Sequence, residues 1–203
     1  MQFPNCIKDA VVYGMKIEIM KTRFFLLFGF ILIVKSISSQ DFKPQEFEIA
    51  TAGTENGLKI IYSSLDKSFT IDVHGEQINF TESPYFYIVD GKIFQAMILG
   101  FQKELDFDNL KENEQKEYLT QYMNYEIEYF KDELKIKIKN LANEFYIVND
   151  KLFLFWYYNM PPKNKTAEKQ LYLTTICHDQ ILNLNTIQEP ESEFIHSKDF
   201  LFN

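Results

Sequence analysis

The most reactive-looking run in the chain is Cys177-His178-Asp179, a thiol, an imidazole and a carboxylate side by side. A Cys–His pair works when the imidazole reaches the sulfur and draws off its proton. Adjacency defeats that arrangement, because neighbours on a strand point to opposite faces and Cys177 and His178 cannot meet. His178-Asp179 also falls where two flanking apolar segments need a turn, a place that suits both residues. Cys177 keeps step with Leu171, Leu173 and Thr175 and reads as a small buried hydrophobe. The other histidines, His74 and His196, have no second His three or four residues away. Zinc takes three or four His, Cys, Asp or Glu ligands, and no two-His or two-Cys pair is present to seed a site. His74-Gly75-Glu76 reads as a turn. Glu126, Glu128, Asp132 and Glu133 have the residue type of glycosidase carboxylates or calcium ligands. No Asp-x-Asp-x-Asp-Gly loop accompanies them, so they read as the solvated face of a helix. Neither a Gly-x-Ser-x-Gly elbow nor a glycine-rich phosphate loop occurs. The expectation is therefore no catalytic residue, no metal, no cofactor and no enzyme.

Aromatic residues offer a different chemistry, that of contact. Phe155-Trp-Tyr-Tyr158 runs into Asn159-Met-Pro-Pro162, at the end of an apolar segment. Trp and Tyr are enriched at binding hot spots, which makes Trp156, Tyr157, Tyr158 and Met160 the candidate contact surface. The competing reading of the same residues is core packing. Asn79-Phe-Thr81 and Asn164-Lys-Thr166 match the glycosylation pattern, which carries no information in a bacterial host.

The elements that must position these residues follow from periodicity. Segments 46–52, 58–63 and 68–74 are short and rich in Ile, Phe and Thr, with Thr54-Glu-Asn-Gly57 between two of them, and predict a strand meander. Tyr85–Val89, Asp90-Gly91 and Lys92–Leu99 predict a hairpin, since Asp-Gly supplies the positive φ angles of a two-residue turn. Phe145–Val148, Asn149-Asp150 and Lys151–Phe153 repeat that wording, six of nine aligned positions being identical, and predict a second hairpin built on the same grammar. Between the hairpins, Asn109-Leu-Lys-Glu112 opens a helix whose stripe is Leu119, Tyr122, Met123, Ile127 and Phe130. Lys135-Ile-Lys-Ile-Lys139 alternates and predicts a strand. Leu171–Cys177 and Ile181–Ile187 predict a strand pair, and Pro190-Glu-Ser-Glu opens a last helix carrying Phe194, Ile195 and Leu201.

Lys151-Leu-Phe-Leu-Phe-Trp-Tyr-Tyr158 puts Leu152, Leu154, Trp156 and Tyr158 on one face and Phe153, Phe155 and Tyr157 on the other. A strand apolar on both sides belongs to a sheet covered on both faces. With two amphipathic helices available, the expected fold is α+β, an antiparallel sheet covered by helices on both faces (an α/β/α sandwich). A β-sandwich with an inserted helix is the rival. In element order over most of residues 45–203, the chain resembles the PsbP-like family of small α/β/α domains. The resemblance implies a domain used in binding or assembly rather than catalysis.

Composition bounds the setting. The chain has 203 residues, 21 basic and 29 acidic, with 20 Phe, 12 Tyr, 7 Gly and a single Arg at position 23. From Met20, a cationic start is followed by the apolar run Phe24–Val34 and by Lys35-Ser-Ile-Ser-Ser-Gln40, the three parts of a secretory signal peptide. Eleven residues rise about 16 Å, roughly half a bilayer's hydrocarbon core, so cleavage between Ser38 and Gln40 is expected. Lys35 also allows an uncleaved anchor. Residues 1–19 precede any charged signal start and read as an upstream extension, 20–40 as the signal peptide, and 41–203 as one globular domain. No cysteine follows the apolar run to take a lipid, Cys6 and Cys177 being the two in the chain.

Residues 1–40 hold five basic and two acidic residues, leaving 16 Lys against 27 acidic residues, a net of -11 with no Arg. A polyanion such as nucleic acid is repelled by that surface. The expectation is an exported protein, periplasmic or secreted, that acts as a binding or assembly module for a protein partner or envelope component, with no stable membrane span after cleavage. The alternative is a carrier of an apolar small molecule or lipid. A carrier needs an enclosed apolar cavity of about 300 Å³ or more. A partner-binding module shows a solid core and an exposed aromatic patch. Three or more His, Asp or Glu side chains converging in one cleft would overturn the non-enzyme reading.

Overall fold

The computed structural model describes residues 42–44, 48–63, 68–81, 85–101, 109–162, 164–178 and 180–202. The extension at 1–19, the signal segment at 20–40, Cys6 and Asp179 lie outside them. The described elements belong to one compact unit, Ser39–Asn203. In chain order they are β1 (Phe42–Pro44), β2 (Glu48–Thr54), β3 (Gly57–Ser63), β4 (Ser68–His74), β5 (Ile78–Phe80), β6 (Phe86–Val89), β7 (Lys92–Phe101), α1 (Glu112–Asp132), β8 (Lys139–Val148), β9 (Lys151–Asn159), β10 (Lys169–Cys177), β11 (Gln180–Gln188) and α2 (Phe194–Phe202).

Two antiparallel sheets result. The larger runs β5-β6-β7-β11-β10-β9-β8, with β1 pairing the far end of β7, and the smaller is the meander β2-β3-β4. Turn chemistry sets the hairpins. Asp90 and Gly91 have φ of 50° and 77°, and Asn149 and Asp150 have φ of 49° and 61°. Both pairs are two-residue turns with positive φ at each position, so the repeated wording codes for the same turn twice. His178, at φ 57°, sits in the turn between Cys177 and its cross-strand partner Gln180.

The central strands bury both faces, as the pattern of β9 predicts. Leu152, Leu154, Trp156 and Tyr158 join one core cluster, with Leu119, Tyr122, Met123, Ile127 and Phe130 of α1. Phe155, with Phe153 and Tyr157 packed beside it, joins the other. The expected α/β/α sandwich is nevertheless corrected. The second face is covered chiefly by the small sheet, whose Leu58, Ile60, Tyr62 and Val73 share a cluster with Phe155, Leu171 and Leu173. The nine-residue α2 occupies only part of that face, through Leu201 and its flanking phenylalanines. The protein is mainly β, two sheets with one long helix on the outer face of the larger.

The physical reason lies in the meander. One side of it is apolar on β3 and β4, where Leu58, Ile60 and Tyr62 pair with Val73, Ile71 and Phe69, with Ile49 of β2 extending it, and that side must find cover. Period-two alternation marks such a face without saying which surface it meets. Gly75 makes the crossing between sheets possible. Its N–H donates to the Asn56 carbonyl at 3.1 Å, and a Cβ there would lie 2.4 Å from Val89. Tyr62 ties the sheets together by donating its hydroxyl hydrogen to the Ala96 carbonyl at 3.1 Å.

Gly57 is equally constrained. Its φ is 142°, and an added Cβ would sit 2.0 Å from the Val73 carbonyl oxygen and 2.8 Å from the Gly75 nitrogen. Both are backbone atoms that cannot move aside alone. Gly57→Ala is expected to destabilise the fold by about 2 kcal/mol or more, read as a lowered urea midpoint.

Two local expectations shift. Residues 135–138 form no strand. Lys135 takes φ 54°, and Ile136 donates its N–H to the Phe130 carbonyl at 2.9 Å. The alternation there reflects Ile136 and Ile138 packing under α1, and the strand begins at Lys139. The first residue of α1 is Glu112, with its N-terminal N–H at Lys111 donating to Glu114 at 2.9 Å, two residues beyond the predicted Asn109 cap.

Candidate functional site

Two groupings of polar side chains stand out, one open and one buried. The open one is a cleft of about 720 Å³ lined by His74, Gly75, Asp90, Lys92, His196, Asp199 and Phe200. Three elements converge there. β4 ends at His74, the β6–β7 turn presents Asp90 and Lys92, and α2 contributes His196, Asp199 and Phe200 from one face, at three- and four-residue spacing.

The frame is held by hydrogen bonds rather than by the potential ligand groups alone. Asp90 Oδ1 accepts from the backbone N–H groups of Glu76 (2.9 Å) and Gln77 (2.8 Å). Lys92 Nζ donates to the His196 carbonyl at 3.1 Å and lies 5.1 Å from the centroid of the Phe200 ring. Sequence reasoning missed this site because Lys92 and His196 are 104 residues apart, and no local spacing announces such a meeting.

His74, Asp90, His196 and Asp199 reach the number of groups set above for an acid–base cleft. Their connections differ from a base-and-orienter pair, since among the described residues no hydrogen bond joins either imidazole to either carboxylate. Among the same residues, no group of three His, Cys, Asp or Glu is placed to hold a metal ion, and no helix is long and apolar enough to cross a membrane.

The buried grouping lies between α1 and the large sheet. Glu126 is only 5% exposed, which corrects its assignment to a solvated face, although Glu128, Asp132 and Glu133 are exposed as expected. From it a chain of donors runs back across three strands. Trp156 Nε1 donates to Thr174 Oγ1 at 3.1 Å, and Thr174 Oγ1 donates to Asn183 Oδ1 at 3.1 Å. Asn183 Nδ2 donates to the Tyr122 hydroxyl oxygen at 3.0 Å, and Tyr122 donates to the Glu126 carboxyl. The direction is set from the Trp156 end, because an indole N–H only donates and each hydroxyl that accepts from the group before it passes its own hydrogen onward.

Burial raises the pKa of Glu126 to about 7, and the Tyr122 hydrogen bond opposes that rise only in part. Burial also holds the hydroxyls of Tyr122 and Tyr172 well above the ordinary tyrosine range, with the Glu126 charge adding to it. A second polar string adjoins the first. Asn185 Nδ2 donates to Gln95 Oε1 at 2.8 Å, and Gln170 Nε2 donates to Asn185 Oδ1 at 3.2 Å.

A sequence signal for Glu126 existed. It stands four residues after Tyr122, three after Met123 and four before Phe130, inside the apolar stripe of α1. Asn183 and Asn185 gave no such warning, since Asn alternating with Leu on β11 looks like a half-solvated strand.

Of the candidate contact residues, Trp156 is fully buried, stacked on Tyr172 with centroids 3.8 Å apart and planes 7° apart. Tyr158 and Met160 are also buried, and Tyr157 is half-buried with its ring 4.7 Å from that of Phe194. The structure thus puts these side chains in the two cores and brings no two of them together at a surface. Cys177 is buried, and burial pushes its thiol pKa up, with Lys151 opposing. His178 lies in the turn beyond it. Compared with known proteins, the chain matches no family model, no curated sequence and no solved structure.

Proposed function

We propose that the protein is an exported binding or assembly module that engages a protein partner or envelope component through the cleft between the β6–β7 turn and α2. The observation that carries this reading is the convergence of Lys92, Asp199, His74 and His196 around open space on a hydrogen-bonded frame. Charged and aromatic groups held by rigid elements suit recognition of a polar surface. The aromatic strands weigh against the carrier alternative, because Trp156 and Tyr158 are packed in the core beneath α1 and Phe155 in the core on the opposite face. Export rests on the leader at 20–40, with its cationic start, apolar run and small-residue end.

The test is purification of the full chain from the cell envelope, with mass spectrometry of its N-terminus and of whatever co-purifies. Lys92→Ala/Asp199→Ala is compared with Lys137→Ala, an exposed control beyond α1. A protein or envelope component retained by the control and reduced at least tenfold in the cleft variant supports the proposal. Equal recovery from both sinks it, and absence of the chain from both the envelope and the medium sinks the export part. The four His and Asp side chains favour one second reading, acid–base catalysis. It replaces the binding reading if the bound species is chemically altered by the wild type and left intact by His196→Gln.

A further inference from the structure

The Glu126 carboxyl is buried at the centre of the inner face of α1, at the acceptor end of a one-way hydrogen-bond chain. The groups facing it are hydroxyls and amides: Tyr122, Tyr125 and Tyr129 on α1, Tyr158 on β9, Tyr172 on β10, and through Tyr122 the Asn183 amide of β11. Among the described residues no Lys, Arg or His pairs with it. A buried carboxylate without a cation is strongly disfavoured, and the system relieves this by taking up a proton or by readmitting water. Readmitting water here means separating α1 from the sheet, because Glu126 rides on the helix while Tyr158, Tyr172 and Asn183 belong to strands. The carboxyl lies in the helix–sheet seam itself, among Tyr122, Tyr158 and Tyr172, so the cost of ionising it falls on that seam.

We propose that α1 is a proton-linked cover. It seats on β9 and β10 with the Glu126 carboxyl neutral, and loss of that proton loosens the helix and uncovers Trp156, Tyr158 and Tyr172. The pKa of about 7 that burial produces places the transition in the range of ordinary environments. The proposal is independent of the surface cleft, whose residues lie on α2, β4 and the β6–β7 turn. It also joins the aromatic run to an interaction role in one state and to the core in the other.

Trp156 is the one tryptophan of the 203-residue chain, so its fluorescence reports on this seam alone. The experiment measures acrylamide quenching of the full-length protein from pH 5 to 8.5, in wild type and Glu126→Gln. The quenching constant of the wild type is expected to rise at least twofold with a midpoint near 7, while Glu126→Gln stays flat. The three histidines are present in both proteins, so a histidine effect would appear in both. An equal rise in the two, or no rise in the wild type, overturns the proposal. A carbon-13 titration of Glu126 in the wild type needs no variant to fold. A midpoint near 7 supports the proposal, and a midpoint near 4.5 overturns it.

Discussion

Trp156→Ala is expected to lower the unfolding free energy by about 4 kcal/mol. The side chain is fully buried, and truncation removes three things together. The transfer energy of the indole is lost, a cavity opens between α1 and β9, and the stack on Tyr172 at 3.8 Å disappears. Thr174 also loses the donor at 3.1 Å that starts the chain to Glu126. Trp156→Phe keeps most of the ring volume and gives up only the N–H and part of the stack, so about half that loss or less is expected. A domain of this size carries about 5–15 kcal/mol in total, which leaves the alanine variant marginal. Urea unfolding followed by circular dichroism measures both, since both variants lack the tryptophan signal. Equal midpoints for the alanine variant and wild type would mean that the indole is not in the core.

Glu126→Gln is expected to stabilise the protein at pH 8 by about 3 kcal/mol and to leave it unchanged near pH 4.5. The sign follows from linkage. The folded-state pKa of about 7 is raised from 4.5, so the unfolded chain ionises first as pH rises. The contribution linked to Glu126 is complete below 4.5, falls between 4.5 and 7 as the unfolded state alone gives up the proton, and is lost in full above 7. Glutamine keeps an acceptor for Tyr122 and has no proton to lose, so its stability should be flat across that window. Chemical denaturation of both proteins at pH 4.5, 6 and 8 draws the two curves. Parallel curves would mean that the carboxyl is hydrated in the folded state. The prediction concerns global unfolding, and it survives even if α1 never lifts separately.

How far the fold was legible depended on the range of the signal. Both hairpins were readable from Asp90-Gly91 and Asn149-Asp150, because a two-residue turn needs φ values that few residues adopt. The stripe from Leu119 to Phe130 was readable because helical periodicity repeats every turn. The two-faced burial of β9 was readable from seven apolar residues in succession. The identity of the covers was not readable, since the meander's apolar side fits a helix or a sheet equally well. Lys135–Lys139 misled for a related reason, as alternation records burial and not the presence of a partner strand.

The candidate sites divide along the same line. Cys177 as a buried residue and His178 in a turn followed from strand geometry, which is local. Glu126 was visible as a carboxylate inside an apolar stripe and was discounted because acidic residues on helices are usually solvated. The cleft and the buried chain had no local signature. One assembles His74, Lys92 and Asp199 from three elements, and the other links Trp156, Thr174, Asn183 and Tyr122 across three strands and a helix.

Residue order alone was sufficient for the turns, the helical stripe, the acidic surface after position 40 and the exclusion of familiar catalytic motifs, because each depends on neighbours within a few residues. Tertiary structure alone settled which sheet covers which face, where Glu126 sits and which charges share a cleft. Those outcomes depend on burial and on contacts between residues far apart in the chain, where desolvation shifts a carboxyl that its sequence neighbours would leave ordinary.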